Sequence, residues 1–204
     1  MTFTIGIHVF DQVEVLDFAG PYEVFTCASR LHRRTHEEDL FRVLTIARSA
    51  DPVRARAGLP VLPDTTFDTH PPLDLVIVPG GVVTAELEQP AVIDWVRRVA
   101  GATALTASVC TGAFLLAKAG VLDGQAATTH WEDVDDLKAM FPGLDVRTGV
   151  RWVDEGAVVS SAGISAGIDM SLHLVERLAG RELALRTARQ MDFAWTTHLR
   201  SPSA

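Results

Sequence analysis

The sequence predicts an α/β domain built on a mainly parallel sheet with helices covering it. Three observations lead there. Apolar runs of strand length alternate with stretches of helical period; the run Leu73 to Val78 stops at Pro79-Gly80-Gly81; and a second buried run stops at Cys110-Thr111-Gly112 before helical spacing resumes.

The elements follow in order. Thr4 to Phe10 is a first buried strand, and a helix from about Asp17 to Leu31 turns Tyr22, Phe25 and Leu31 toward a core. Phe41 to Ala47 is a second strand. Arg54 to Ala57 and Leu59 to Leu62 flank Gly58 as a hairpin, an antiparallel excursion from the main sheet. Leu73 to Val78 is the strongest buried strand. Pro90 suits the first turn of a helix that sets Val92, Ile93, Val96 and Val99 at helical spacing. Thr103 to Val109 is a strand, and Thr111 to Ala119 a helix stopped by Gly120. Short strands at Ala126 to Thr129 and Asp145 to Arg147 bracket a helix from Glu132 to Met140. Trp152 to Val159 turns at Asp154-Glu155-Gly156 as a second hairpin, and helices from Ala166 to Leu178 and Glu182 to Met191 finish the fold. Ser201 to Ala204 is expected to fray.

Composition narrows the function. The 204 residues are 48% hydrophobic and 22% charged with a net charge of −8, and no repeat or linker divides them, so one domain spanning 1–204 is expected. A domain this long buries roughly 70% of its unfolded surface and needs no disulfide framework or structural metal. Its two cysteines, Cys27 and Cys110, form no CxxC pair. The chain opens without a basic and then apolar leader, which predicts a reducing, cytoplasmic location. Val99 to Ala117 is uncharged over bilayer length, but Gly101, Thr103, Thr106, Ser108, Thr111 and Gly112 dilute it, so no membrane span is expected. The acidic balance argues against nucleic acid. The densest basic cluster, Arg30, Arg33 and Arg34, is followed by Glu37, Glu38 and Asp39 and reads as a solvated loop.

The sharpest chemical signal is Ala107-Ser108-Val109-Cys110-Thr111-Gly112-Ala113, which has the mechanics of a nucleophile elbow. The nucleophile sits strained at a strand end, and small residues two positions either side, here Ser108 and Gly112, let strand and helix pass closely. A thiol at a helix start faces unpaired amides, which predicts a reactive Cys110 with a lowered pKa. A free cysteine is as readily a small buried hydrophobe, and both readings stand on the elbow alone. Cys27, inside a helical pattern, is assigned to packing.

Gly80-Gly81 ends the preceding strand, where open α/β sheets collect ligands, and its amides offer donors for a developing oxyanion or imidate. No GxxxxGK[ST] follows, so this is no phosphate loop. Candidate proton-transfer partners are Glu14, Asp17, Glu23, His130 and Asp169. Taken alone, Asp17 reads as a helix N-cap and His130 as structural, although His130-Trp131-Glu132 has the outline of a triad remainder. His32, His36 and Glu37 are a poor metal set without a third convincing ligand, so no metal is expected.

With these residues in view, the chain resembles the ThiJ/PfpI superfamily over roughly residues 4 to 192. The matching pieces are Val15-Leu16-Asp17-Phe18-Ala19-Gly20-Pro21-Tyr22-Glu23-Val24-Phe25, Val78-Pro79-Gly80-Gly81, Ser108-Val109-Cys110-Thr111-Gly112-Ala113, Gly124 to Trp131 and Ser161 to Asp169. The resemblance implies a flavodoxin-like three-layer sandwich of the class I glutamine-amidotransferase type, and commonly a homodimer. Within the superfamily the pattern is similar to isocyanide hydratases and to the amidase-like sensor half of AraC-type regulators. Carried over, it makes Cys110 the nucleophile on an isocyanide carbon and Asp17 the general acid/base as water is added to give an N-formamide. Thr111 and the backbone around Gly80 and Gly81 line the pocket, and His130 is an accessory residue. A carboxyl beside a thiolate in an apolar pocket tends to keep its proton, which suits this chemistry. No cofactor is implied, and the partner is a small-molecule substrate.

The departures also count. Thr111 stands where PfpI-type peptidases have histidine after the cysteine, so peptidase activity is not expected. Isocyanide hydratases run longer, with a Pro-rich extension and a triple glycine where this chain has Ser161-Ala162-Gly163, and the regulators' DNA-binding half has no counterpart. Two alternatives to a hydro-lyase stand beside it: a glyoxalase, deglycase or amidase acting on carbonyl compounds, and a non-catalytic ligand or redox sensor.

Overall fold

The structure is a computed structural model and describes residues 2–196; the tail expected to fray, Ser201 to Ala204, lies outside the described residues. Strands β1 (Phe3–His8), β2 (Phe41–Ala47), β5 (Thr65–Thr66), β6 (Leu75–Val78), β7 (Leu105–Val109), β10 (Trp152–Asp154) and β11 (Val158–Ser161) form one seven-stranded sheet. The order is β10-β11-β7-β6-β1-β2-β5, and every pair is parallel except β10 with β11.

Helix α1 (Val15–His32) carries the chain from β1 outward to β2, whereas α3 (Pro90–Ala100) and α4 (Gly112–Lys118) follow β6 and β7 in the opposite direction. Right-handed crossovers running in opposite directions place helices on opposite faces. Accordingly α1 packs with α6 (Ala166–Ala179) and α7 (Arg181–Gln190), while α3 and α4 pack together with α2 (Thr84–Leu87). The reversal makes the crevice at the carboxyl ends of β1 and β6 the topological switch point, the usual ligand position in such sheets.

Between the layers Ile5, Ile7, Leu75, Ile77, Leu115 and Leu116 are fully enclosed. Each such side chain contributes roughly 1.5–3 kcal/mol relative to exposure. Truncation of Leu115 to alanine would therefore cost about 2–5 kcal/mol once the cavity is included.

Several elements differ in detail from the sequence reading. The hairpin at Gly58 exists as a separate antiparallel pair, β3 (Val53–Arg54) with β4 (Pro60–Val61), joined through a 3-10 turn. Strand β5 and helix α2 were not anticipated, because two and four residues are too few to show a period. Tyr22 does not face the core: it is 37% exposed, while Phe25 and Leu31 are buried as expected. The predicted strands near 126 and 145 pair in parallel as β8 (Ala126–Ala127) and β9 (Asp145–Val146), with α5 (Val134–Met140) between them. No helix among the described residues is long and apolar enough to cross a membrane.

Candidate active site

Three adjacent strands deliver the site. β7 ends at Cys110, which has φ 57, the left-handed conformation of a strained elbow. Its backbone is pinned on both sides. The Cys110 N–H donates to the Ser161 carbonyl (3.0 Å), and the Thr129 hydroxyl donates to the Cys110 carbonyl (2.9 Å). Gly112 makes the turn possible, since a Cβ there would lie 2.0 Å from the Val78 carbonyl oxygen. The elbow expected from sequence is therefore present with its small flanking residues in the predicted places.

α1 begins at Val15, after a short connection from the end of β1 at His8, and carries Asp17 inward, where it is wholly buried. The carboxyl accepts the Gly80 N–H through Oδ2 (3.2 Å), while Oδ1 is enclosed without a hydrogen-bond partner. Asp17 is no N-cap: that position is Glu14, and Asp17 lies inside the first turn. Burial pushes its pKa from 3.8 to about 7, opposed by the Gly80 amide and by the Cys110 thiol.

The thiol departs from the sequence expectation. Burial pushes the Cys110 pKa up rather than down, and the neighbouring Asp17 charge adds to that. The Thr111 amide does pull it down, as an elbow should, but it is outweighed because the sulfur is enclosed and shares its site with a carboxyl. Two acidic groups this close do not ionise independently, and the pair holds a proton at neutral pH.

The glycine turn also works differently from the expectation of open donors. The Gly80 amide is taken by Asp17, and the Gly81 N–H donates to the Thr111 hydroxyl (2.9 Å), which in turn donates to the Gly81 carbonyl (2.9 Å). Gly80, Gly81 and Thr111 thus hold the acid and the elbow in register.

A cavity of about 870 Å³ opens over Cys110. Its lining includes Gly81, Thr111 and His130, apolar Val83, Leu87 and Phe114, and the acidic wall of Glu132, Asp133 and Asp136. His130 Nδ1 lies 3.3 Å from Asp133, whereas Glu132, its sequence neighbour in the H-x-E pattern, is 3.9 Å away. Glu14 pairs with Arg56 (3.3 Å) at the same cavity.

The other candidates lie elsewhere. Glu23 pairs with Arg30 on the exposed face of α1, and Asp169 is held by Arg151 and the Thr196 N–H. His32 and His36 stack on one another with centroids 3.8 Å apart, and no group of three or more metal-ligating side chains occurs among the described residues. Cys27 is buried in α1.

Sequence reasoning missed Gly163 as part of the site. A Cβ there would lie 2.8 Å from the Cys110 sulfur and 2.8 Å from His130 Cδ2, so only glycine leaves both side chains where they are. The signal was present in Ser161-Ala162-Gly163, a run of small residues at the end of β11 shortly before a helix.

Comparison with known proteins identifies the family. The chain is 35% identical over 195 residues to an isonitrile hydratase of Pseudomonas putida, covering 95% of this chain and 80% of that protein. It is 33% identical over 181 residues to the HTH-type transcriptional regulator GbdR of Pseudomonas aeruginosa, covering 89% of this chain but 48% of the regulator, about half its length. A crystal structure of a THiJ/PfpI family protein from Pseudomonas syringae superposes with a TM-score of 0.84 at 26% identity, covering 100% of this chain and 78% of that one. Residues 4–177, most of the chain, match the DJ-1/PfpI family, and the chain belongs to that family.

Proposed function

We propose that this protein is a cysteine-dependent enzyme of the isocyanide hydratase type, adding water to a small isocyanide through a thioimidate on Cys110. The observation that carries the reading is the buried Asp17 carboxyl beside the Cys110 thiol, with a pKa of about 7 and one unpartnered oxygen. Such a group exchanges protons near neutrality, and a buried acceptor with nothing to bind is costly unless the chemistry uses it.

The reaction balances on these residues. In the ionised pair the charge rests on Asp17 and the proton on sulfur, because burial disfavours the thiolate more. As sulfur attacks the terminal isocyanide carbon, the S–H proton passes to Asp17, which delivers it to that carbon, leaving a neutral thioimidate. Asp17 then takes a proton from water as oxygen attacks the same carbon. Asp17 passes that proton to the nitrogen, the carbon–sulfur bond breaks as the new hydroxyl gives up its proton through Asp17 to the departing sulfur, and the N-formamide leaves with Cys110 a thiol and Asp17 ionised again. General acid–base help of this kind contributes about 10²–10⁴-fold. In this reading His130 and Asp133, which pair at the cavity wall, orient the attacking water.

The test is turnover of p-nitrophenyl isocyanide to the formamide. Wild type is expected to produce it, with kcat/KM rising as pH passes about 7 and Asp17 ionises, whereas Cys110→Ala and Asp17→Asn are not. Equal inertness of all three proteins would sink this reading and favour a ligand sensor. The regulator among the relatives gives that second reading its specific support.

A further inference from the structure

Beyond the catalytic pair the molecule holds a second buried acid–base pair that this chemistry does not use. His8, at the carboxyl end of β1, is wholly buried; its Nε2 lies 3.2 Å from Glu86 Oε2 and its Nδ1 lies 3.2 Å from the Ile46 carbonyl oxygen. Both ring nitrogens are thus engaged at once, one by the side chain of α2 and one by the backbone of β2, which fixes the ring between the two elements. The rings of Phe10, Phe67 and Trp95 surround the imidazole at centroid distances of 5.1, 5.4 and 5.4 Å and confine its plane. A buried pair of this kind seldom adds net stability over an apolar pair of the same shape, and its better-attested use is to fix one arrangement among several.

What it fixes is visible in the position of Glu86. That residue lies on α2, and the same short segment presents Val82, Val83, Thr84 and Leu87 to the cavity over Cys110. Apolar packing alone lets a single helical turn slide or rotate, whereas a carboxylate reaching one ring nitrogen defines its rotation. We infer that the His8–Glu86 pair is a positioning device for this wall, and that it sets which sizes of ligand reach the Cys110 sulfur. The inference rests on Cys110 being the reactive group but requires no particular substrate.

The test compares alkylation of Cys110 by iodoacetamide and by the bulkier N-phenyliodoacetamide, which share one reactive group, with peptide-resolved mass spectrometry separating Cys110 from Cys27. Misplacing a positioning element by about an ångström costs up to about a hundredfold in rate, so a shift of about fivefold in the ratio of the two rates is expected in Glu86→Leu. Glu86→Gln, which retains an acceptor for Nε2, is expected to keep the wild-type ratio. The double variant His8→Leu/Glu86→Leu replaces the pair by apolar groups and guards against simple unfolding. It is expected to keep the altered ratio even where its melting temperature returns to that of wild type. Amide hydrogen exchange over residues 82–88 gives a readout independent of the thiol, and is expected to quicken in both leucine variants but not in Glu86→Gln. A double variant with wild-type stability, wild-type rate ratio and wild-type exchange would overturn the inference. Failure of wild-type Cys110 to alkylate at all would instead count against the proposed function, while exchange still reports on the wall.

Discussion

Two aspartates of this protein are equally buried and play opposite parts. Asp169 at the start of α6 receives Arg151 Nε at 2.5 Å and the Thr196 N–H at 2.7 Å, so burial raises its pKa while two donors hold it back. Asp17 receives one amide at 3.2 Å, leaves Oδ1 unpartnered and faces a thiol. On the proposed function, what would separate the structural carboxylate from the chemical one is the number of satisfied acceptors, not depth. The Arg151–Asp169 pair ties residues 195 and 196 to α6, reinforced by the Trp195 indole donating to the Asp169 carbonyl (3.2 Å). The Asp17 carboxyl makes a single such tie, to the Gly80 amide (3.2 Å).

The comparison is broken most directly by removing the reacting groups. Cys110→Ala is expected to lower formamide production below detection, and Asp17→Asn to lower it by about 10²–10⁴-fold, read as kcat/KM. Neither is expected to unfold the chain. Asp169 gives the converse result: Arg151→Ala leaves its charge buried and unpaired and is expected to cost about 3–5 kcal/mol in chemical denaturation, with activity per folded molecule largely kept.

A smaller effect sharpens the contrast through pH. The folded Asp17 pKa of about 7 lies above its ordinary 3.8, so the folded state binds more protons between those values. Stability from this group is fully present below about pH 4 and is lost as pH rises through about 7. Asp17→Asn is therefore expected to be more stable than wild type above neutral pH, by up to about 4 kcal/mol, with the difference vanishing in acid. Urea titrations at pH 4 and pH 8 read both ends. An Asn variant less stable than wild type at pH 8 would mean that Asp17 is a structural acceptor after all.

The smallest change expected concerns the glycine turn. Thr111→Val removes the hydroxyl that both donates to and accepts from Gly81, which is expected to cost about 1–3 kcal/mol and to raise KM more than it lowers kcat.

Much of this site was legible before any coordinates. Cys110 stood out because a strand meets a helix there between small residues, whereas Asp17 alone read as an N-cap and, with the Gly80-Gly81 turn, came forward only through the family resemblance. The parallel sheet follows from apolar strand runs separated by helical spacing. What stayed hidden depended on distances between segments. The elbow rule lowers a thiol pKa, but only the fold shows that the sulfur is enclosed beside a carboxyl, which reverses the direction. Gly80 and Gly81 look like open donors until Asp17 and Thr111 are seen occupying them. Asp169 and Asp17 cannot be told apart in sequence because Arg151 and Thr196 approach Asp169 from 18 and 27 positions away. Helix α2 and its Glu86 left no periodic trace, and Tyr22 follows the helical pattern yet faces outward.

The central claim is that Asp17 and Cys110 act as one proton-sharing unit, and the most direct test is the pH dependence of Cys110 alkylation by iodoacetamide in wild type and in Asp17→Asn. Removing the carboxylate charge that helps push the thiol up is expected to move the onset of alkylation to lower pH, in the same variant that loses isocyanide hydration. A thiol easier to ionise in an enzyme that no longer turns over is what a proton-sharing pair requires. An unchanged onset, or one displaced to higher pH, would contradict the account.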